Sequence, residues 1–450
     1  MTLILSFAAL LPRLLLGFFI IHSIWNATDG KSLLVKIFLS AGIGFGISSL
    51  FGFLWIWLGL PLDVYAISES ILAIVLSGWM FYTKRFKFNF HGMTEKSDLI
   101  WTLILAMGVF LFTMNLAVYA LQYPHGRPDA WINWNVAARF LYLGGADWQA
   151  TFLRQWDHPD YPLFMAVTNA ITWIFLGEAS TWGPIAFHFV VSLFGVGLLF
   201  SVINYLRDFK QAALAAILFM SMPFIVDQGM RQYADFLLAY VILASGGLTL
   251  LYFQTGETRL AVLTGLMIGL GAWAKNEGLP AILGFSLAWS LIALKKERRF
   301  AARSYVFGLV FPFFVILLFK LFLAPPNDLM SSGSSLEKLL DAERYAVILQ
   351  RAASMLWNLS GAPFPLIGLI ILLALMMGRS VNRISGAWTI GVVVGIQLMI
   401  YFVIYLLTPL DLAFHLNTSL DRLYMHVLPL AFLWFFIWLK SPQELTAKES

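Results

Sequence analysis

The sequence predicts an all-α, polytopic membrane protein with about 13 transmembrane helices. Of its 450 residues, 60% are hydrophobic and only 12% are charged, and the mean hydropathy is +0.81. Soluble domains carry roughly 25% charged residues, so the composition excludes a soluble domain. Apolar runs of about 18 or more residues recur along the whole chain, and each can cross the hydrocarbon layer as a helix. The chain has no cysteine, which excludes disulfides, thiolate catalysis and Cys-type zinc sites.

The apolar runs predict the spans in chain order. They lie near 3–23, 38–60, 64–83, 99–121, 182–206, 211–228, 233–254, 258–274, 278–294, 303–323, 363–378, 386–408 and 422–439. Two further apolar stretches, 161–177 and 345–359, would place charged loops on the wrong face if they crossed the membrane. We therefore predict juxtamembrane or partly inserted helices there.

The chemistry-bearing loops divide the chain into unequal parts. We interpret residues 1–98 as an added N-terminal module of three spans, because the polar loops of interest all come later. Residues 99–440 form the main transmembrane module, in which a large outer loop covers 122–181. Residues 441–450 form a cytoplasmic tail.

The distribution of charge orients the protein. The loops of one face hold 18 of the 29 Lys and Arg residues but only 8 of the 24 acidic residues, a net charge of +10 against −5 for the remainder. Cytoplasmic loops carry an excess of Lys and Arg, so this face is predicted to be cytoplasmic. Because the overall charge of +5 follows this topology, we expect no nucleic-acid partner.

The first outer loop presents Asp129 directly after a proline. The residues that follow, up to Leu143, have helical spacing. Their membrane-facing stripe is predicted to be Trp131, Trp134, Ala138 and Leu141. Asp129 would then lie in the first turn of an interfacial helix, where the amide dipoles favour a carboxylate. A helix cap and a catalytic carboxylate both remain open interpretations.

The end of the same loop, residues 156–162, places Asp157, His158 and Asp160 beside two prolines. Prolines prevent a regular helix and hold these side chains in an extended turn. Such residues could bind a divalent cation or orient a sugar hydroxyl, and a rigid turn with solvated charges is the alternative. Together with Asp129 they are the candidate metal ligands, and the need for a metal stays open.

Two more polar points occur at predicted span entrances on the outer face. Asp235 lies at membrane depth, where an ionisable group is costly unless it is paired or functional. Arg231, four residues earlier, could form a structural ion pair with it. Lys275 and Glu277 lie between two spans with almost no loop, so they could either snorkel to the interface or contact a phosphate.

Arg422 opens the last predicted span on the outer side, against the positive-inside trend. Its planar guanidinium suits a pair of phosphate oxygens. An interfacial cap formed with Asp421 is the alternative.

Other polar residues within the apolar runs are interpreted as structural. The histidines His22, His188 and His426 are expected to satisfy helix contacts. Arg13 and Lys320 are expected to snorkel to the membrane surface.

Taken together, these segments resemble the GT-C superfamily of polytopic glycosyltransferases. Those enzymes use polyprenyl-phosphate sugars and include protein O-mannosyltransferases and the aminoarabinose transferases of lipid A. The similar segments are the acidic residue soon after a span, the aromatic interfacial helix, and the motifs at 158–162 (HPDYP), 231–235 (RQYAD), 273–278 (WAKNEG) and 418–422 (TSLDR). The resemblance extends over roughly residues 99 to 440.

The resemblance implies a chemistry for these side chains. Asp129 would be the base that activates an acceptor hydroxyl, and attack would invert the anomeric carbon. Lys275, Arg422 and Arg231 would stabilise the departing phosphate. The remaining candidate substrate-binding residues are Asp157, His158, Asp160, Tyr161, Tyr233, Asp235, Glu277 and Asp421.

The resemblance also implies partners and a location. The donor would be a polyprenyl-phosphate-linked sugar, with its prenyl chain in an apolar groove between spans and membrane lipids around it. The acceptor would be a glycan, lipid or protein of the cell envelope. The active face would be periplasmic or extracellular, in a bacterial inner membrane.

Two alternatives remain. An O-antigen-type ligase or polymerase would act on polyprenyl-diphosphate glycans and depend on arginines and a histidine more than on Asp129. A lipid or solute transporter would have charged residues deep within spans and broken helices.

Overall fold

The structure is a computed structural model that describes residues 1–83, 99–153, 158–326, 336–361 and 365–446. Within these ranges the regular elements are helices, and an isolated bridge pairs Arg379 with Leu439. Nine of the described helices are long and apolar enough to cross a membrane, or ten if one bent pair counts as a span. The predicted all-α polytopic membrane protein is confirmed, whereas the number 13 stays a prediction.

The described helices follow one another along the chain. They are α1 (Thr2–Ile24), α2 (Gly30–Trp57), α3 (Leu62–Tyr82), α4 (Leu99–Gln122), α5 (Asn135–Leu143), α6 (Phe164–Leu176), α7 (Trp182–Leu206), α8 (Phe209–Met220), α9 (Pro223–Met230), α10 (Ala234–Thr255), α11 (Arg259–Ala274), α12 (Gly278–Ile292), α13 (Arg299–Phe322), α14 (Ala342–Asn358), α15 (Leu366–Met377), α16 (Trp388–Leu407), α17 (Leu412–Trp438) and α18 (Pro442–Thr446). A π turn (Ala130–Trp134) precedes α5, and 3₁₀ segments cover Gly145–Leu153, Lys296–Arg298 and Leu336–Leu340.

Helix α10 lies at the centre of the protein. It is almost entirely buried and packs against α7, α11 and α17. Its Tyr240 hydroxyl donates to the Phe38 carbonyl of α2 at 2.6 Å and accepts from the Gly42 amide at 3.0 Å. The first three spans therefore share a core with the later helices, and their status as an added module stays a prediction.

Helices α1 and α2 cross at two glycines. A Cβ on Gly17 would lie 2.1 Å from the Ser40 carbonyl oxygen, and one on Gly44 would lie 1.9 Å from the Arg13 carbonyl oxygen. Small residues of this kind let two helix backbones approach closely in a membrane.

Arg13 does not snorkel, contrary to the sequence-based expectation. Its side chain is fully buried and donates to the Thr168 carbonyl at 2.9 Å, the Ala9 carbonyl at 2.8 Å and the Thr172 hydroxyl at 3.0 Å. Because a buried guanidinium is costly without partners, these bonds hold α1 against α6.

The predicted span at 211–228 is broken. Helix α8 ends at Met220, α9 begins at Pro223, and the two axes are bent by 72°. Proline lacks the amide hydrogen and clashes with the preceding turn, so Pro223 starts a new helix instead of continuing the old one.

The predicted start of the last span at Arg422 is also wrong. Helix α17 begins at Leu412, where the Asp411 side chain accepts from the Phe414 amide at 2.8 Å. No glycine or proline interrupts the chain between this cap and Pro429. Arg422 and Asp421 therefore lie inside a long helix, and the proposed interfacial cap between them is not formed.

Candidate functional site

The site is organised around Asp235, in the first turn of α10. Its carboxylate is fully buried and has three partners: Lys275 Nζ at 2.7 Å, Arg422 Nε at 3.1 Å and His426 Nε2 at 2.8 Å. A buried carboxylate is stable only when it is paired and hydrogen-bonded, and these three contacts meet that condition. The predicted ion pair between Arg231 and Asp235 is wrong.

Asp129 joins this group through Arg422. The guanidinium Nη1 lies 2.6 Å from Asp129 Oδ2 and the guanidinium carbon lies 4.8 Å from the centre of the Tyr233 ring. The Tyr233 hydroxyl in turn accepts from the Asp129 amide at 3.2 Å. Two carboxylates 106 positions apart in sequence, Asp129 and Asp235, thus share one guanidinium.

Lys275 and Glu277 form the third side of the site. Lys275 Nζ lies 2.9 Å from Glu277 Oε1, and the lysine side chain is only 2% exposed, so the snorkelling alternative is wrong. Burial would raise the pKa of the Glu277 carboxyl, but nearby positive charge, that of Lys275 above all, holds that pKa below its ordinary value. Glu277 is therefore ionised at neutral pH.

We call these side chains the central cluster: Asp129, Asp235, Lys275, Glu277, Arg422 and His426. Three carboxylates face the Lys275 ammonium and the Arg422 guanidinium, so the net charge is −1 when all five are ionised and His426 is neutral. Sequence reasoning missed His426, which was expected only to satisfy helix contacts. The signal was present, because His426 follows Arg422 by four residues and therefore shares its helix face.

A second network, which we call the lateral network, lies beside the central cluster. Arg231 pairs with Asp227 at 2.5 Å and with Asp421 at 2.7 Å. Burial lowers the pKa of Arg231, but the two carboxylates raise it by more than burial lowers it, so the guanidinium stays charged. Tyr119 donates to Asp227 at 2.6 Å and accepts from Arg127 Nε at 2.8 Å. Sequence reasoning missed Asp227, Tyr119 and Arg127.

The loop that carries Asp129 is fixed to this network by its backbone. The Arg127 amide donates to the Arg231 carbonyl at 3.1 Å. Gly126 has a φ of +73°, and a Cβ there would lie 2.5 Å from the same carbonyl oxygen. A glycine is needed at this close approach, which sets Asp129 beside residues 231–235.

The predicted membrane-facing stripe after Asp129 is wrong for three of its four residues. Trp134, Ala138 and Leu141 are buried against the protein, whereas Trp131 is 55% exposed. Trp131 is separated from the other three residues by the π turn, in which the Asn135 amide donates to the Ala130 carbonyl, five residues earlier. The wider turn adds one residue and moves Trp131 off the buried face.

The turn at 158–162 lies next to the Lys275 segment. Asp160 is buried and accepts from Asn276 Nδ2 at 2.7 Å, and Lys320 Nζ lies 3.7 Å from the same carboxylate and donates to the Asp160 carbonyl. Lys320 is therefore bound to Asp160, contrary to its predicted snorkelling. Tyr161 stacks between Trp134 and His158, with ring centres 4.9 and 4.8 Å apart.

The candidate metal ligands do not come together in the described part of the chain. Among those residues, no group of three or more His, Asp or Glu side chains has the geometry to hold a metal ion. Asp129 is engaged by Arg422, and Asp160 by Asn276. Asp157 lies outside the described residues, so its predicted role is not tested.

Comparison of the chain with protein-family models, with curated proteins and with solved structures gives no match. The roles of the site residues stay predictions.

An apolar groove opens between α4 and the bent pair α8–α9. Its volume is about 550 Å³. The lining includes Leu111, Phe112, Met220 and Val226, and the polar end of the groove is formed by Tyr119 and Asp227. The groove therefore runs from an apolar wall to the lateral network. That network includes Asp421, which directly precedes Arg422 in α17.

Proposed function

We propose that the protein is a membrane glycosyltransferase that moves a sugar from a polyprenyl-phosphate donor to an acceptor hydroxyl on the outer face. The observation that carries this proposal is the shared guanidinium of Arg422, which joins Asp129 to Asp235 and Lys275 within one buried cluster. A base and two phosphate-binding cations are the groups that such a transfer requires.

The central cluster suggests how the base becomes available. In the present arrangement Asp129 accepts from Arg422 Nη1, so its carboxylate is occupied by the guanidinium. A donor phosphate that binds Arg422 would compete for the same guanidinium and release Asp129. Donor binding would then activate the base only when a sugar is in place.

The bond changes follow from this arrangement. Asp129 removes the proton from the acceptor hydroxyl, and the hydroxyl oxygen bonds to the anomeric carbon from the face opposite the phosphate. The bond between that carbon and the phosphate oxygen breaks, and its electron pair leaves with the polyprenyl phosphate. The configuration inverts, and the proton remains on Asp129. Lys275 and Arg422 stabilise the negative charge that develops on the phosphate.

Neighbouring groups supply places for the lipid and the sugar. The α4 groove could take the prenyl chain, since it is apolar along its walls and polar at the end near Arg231. Asp160 and Asn276 could bind sugar hydroxyls beside the aromatic stack of Tyr161 and Trp134.

The test is transfer by the purified protein in nanodiscs. A panel of polyprenyl-phosphate sugars is supplied with cell-envelope lipids and glycans, and release of polyprenyl phosphate and labelling of an acceptor are measured. We expect transfer with at least one donor. Asp129→Asn should abolish it, whereas the exposed carboxylate of the same loop provides a matched control, Asp147→Asn, which should not. Full activity of Asp129→Asn would reject the base.

A transporter is the second candidate, and two observations favour it. Helices α8 and α9 form a broken pair bent by 72°, and the ionisable residues Asp235 and Arg422 lie within apolar helices. Both features are typical of transport pathways. Uptake of an intact polyprenyl-phosphate sugar into proteoliposomes, with no chemical change and no effect of Asp129→Asn, would favour transport over transfer.

A further inference from the structure

His426 lies at full burial between two other side chains of the core. Its Nε2 lies 2.8 Å from Asp235 Oδ1, and its Nδ1 lies 2.7 Å from the Tyr401 hydroxyl. The Tyr401 hydroxyl also accepts from Gln397 Nε2, which in turn donates to the Glu277 carbonyl at 3.0 Å. The imidazole therefore connects α17 to α10 and α16.

These partners define the proton on the neutral ring. An ionised Asp235 carboxylate can only accept, so the hydrogen lies on Nε2. Nδ1 is then an acceptor, and Tyr401 donates to it. A tyrosine oxygen can also accept. Once the Tyr401 hydrogen turns away, the ring can gain a second proton on Nδ1 and donate it to Tyr401 without breaking the bond to Asp235.

The charges around His426 favour that second proton when an anion arrives. From α10 the ring faces Asp235, from the α11–α12 connection Lys275 and Glu277, from α16 Tyr401, and from its own helix Arg422. With Asp129 included, the cluster already carries a net charge of −1. Binding a phosphodiester would make it −2, whereas a protonated His426 would return it to −1. Uncompensated charge is costly in a buried, low-dielectric site.

We propose that His426 takes up one proton when a phosphodiester anion binds at Lys275 and Arg422. The identity of the anion depends on the proposed function. His426 is a positioning residue here: it acts on the anion through the charge of the cluster and through its bond to Asp235, without touching the substrate.

The experiment measures binding of farnesyl methyl phosphodiester to the full chain in nanodiscs between pH 5 and 9. This probe carries one negative charge throughout that range, so its own ionisation does not contribute. Isothermal titration calorimetry in two buffers of different ionisation enthalpy gives the number of protons taken up. For the wild type we expect close to one proton, and over the pH range in which that proton is taken up the affinity should fall about tenfold per pH unit.

Two variants separate the proton from the fold. His426→Gln retains an N–H group toward Asp235 but cannot be charged, so we expect binding with no proton uptake and no pH dependence. His415→Gln is the matched control on the same helix, because His415 bonds to Thr408 instead of the central cluster. It should bind like the wild type. The wild-type proton count tests the proposal even if His426→Gln fails to fold.

The outcomes distinguish the two proposals. Binding of the probe without proton uptake by the wild type would overturn the role of His426 and leave the proposed function in place. Proton uptake that persists in His426→Gln would also overturn it. No binding of the probe at any pH would overturn both the role of His426 and the phosphate assignment.

Discussion

The charge balance of the central cluster predicts that removing one carboxylate is tolerated better than removing one cation. The two perturbations are Asp235→Asn and Lys275→Met, which affect the two ends of one buried 2.7 Å contact. If the pair acted alone, both substitutions would leave one buried charge without a partner and cost similar amounts. The surrounding charges make the two changes unequal.

The magnitudes follow from what each substitution leaves behind. Asp235→Asn leaves two carboxylates and two cations, still paired as Asp129 with Arg422 and Glu277 with Lys275. Only the charge assistance of the bonds to Asp235 is lost, which we expect to cost about 1–3 kcal/mol. Lys275→Met leaves three carboxylates against Arg422 alone. Breaking a buried ion pair in this way costs about 3–5 kcal/mol.

The assay is the free energy of unfolding from SDS titration in mixed micelles, followed by tryptophan fluorescence. Lys296→Met is the matched control, since Lys296 is exposed and such substitutions change stability by less than about 0.5 kcal/mol. We expect Lys275→Met to be less stable than Asp235→Asn by about 2 kcal/mol. Equal losses, or a greater loss in Asp235→Asn, would refute the reasoning from charge balance.

The remaining predictions concern catalysis and packing. Asp129→Asn should lower transfer by about 10²–10⁴-fold, the usual contribution of a general base, with membrane insertion unchanged on a protease-protection assay; near-normal turnover would remove the base. Gly44→Ala should destabilise the protein by at least about 2 kcal/mol in the SDS titration, because its Cβ would meet the Arg13 carbonyl oxygen at 1.9 Å. Gly78→Ala, in a helix where a Cβ meets nothing within 4 Å, is the control and should be neutral or slightly stabilising. A tolerated Gly44→Ala would show that α1 and α2 can separate at their crossing.

The fold class could be predicted because hydropathy alone forces it. Apolar runs long enough to cross a bilayer leave few alternatives to helices, since every backbone polar group must be satisfied internally. The gathering of Asp129, Asp235, Lys275 and Arg422 could be anticipated for a related reason. Each is a polar residue in an outer loop or at the outer end of a predicted span, so the predicted topology places them on one face.

The errors in the predicted spans arise in two situations. Either a helix continues through polar residues, or an apolar run is divided into two helices. Residues 412–421 are too polar to count as a span, yet they have no helix breaker and extend α17 by ten residues. Pro223 is consistent with the break between α8 and α9, but the residues on both sides of it are apolar, so the sequence was interpreted as one continuous span. Sequence periodicity also cannot show a π turn, which is why Trp131 was placed on the same face as Trp134, Ala138 and Leu141.

The roles of buried polar side chains were the least predictable feature. An arginine in an apolar run is interpreted as snorkelling unless its partners are known. The partners of Arg13 in α6 lie about 155 residues away in sequence. The role of His426 could not be predicted for the same reason, because its partners Asp235 and Tyr401 belong to other helices. Pairings between distant segments are set by packing and leave no local pattern.

The most direct test of the phosphate-binding cluster is a cryo-EM structure with a non-transferable polyprenyl phosphonate bound. We expect the phosphonate oxygens within hydrogen-bonding distance of Arg422 and Lys275, with the Asp129 carboxylate displaced from the guanidinium and the prenyl chain in the α4 groove. A phosphonate bound elsewhere, with the contact between Asp129 and Arg422 still at 2.6 Å, would contradict the proposed site.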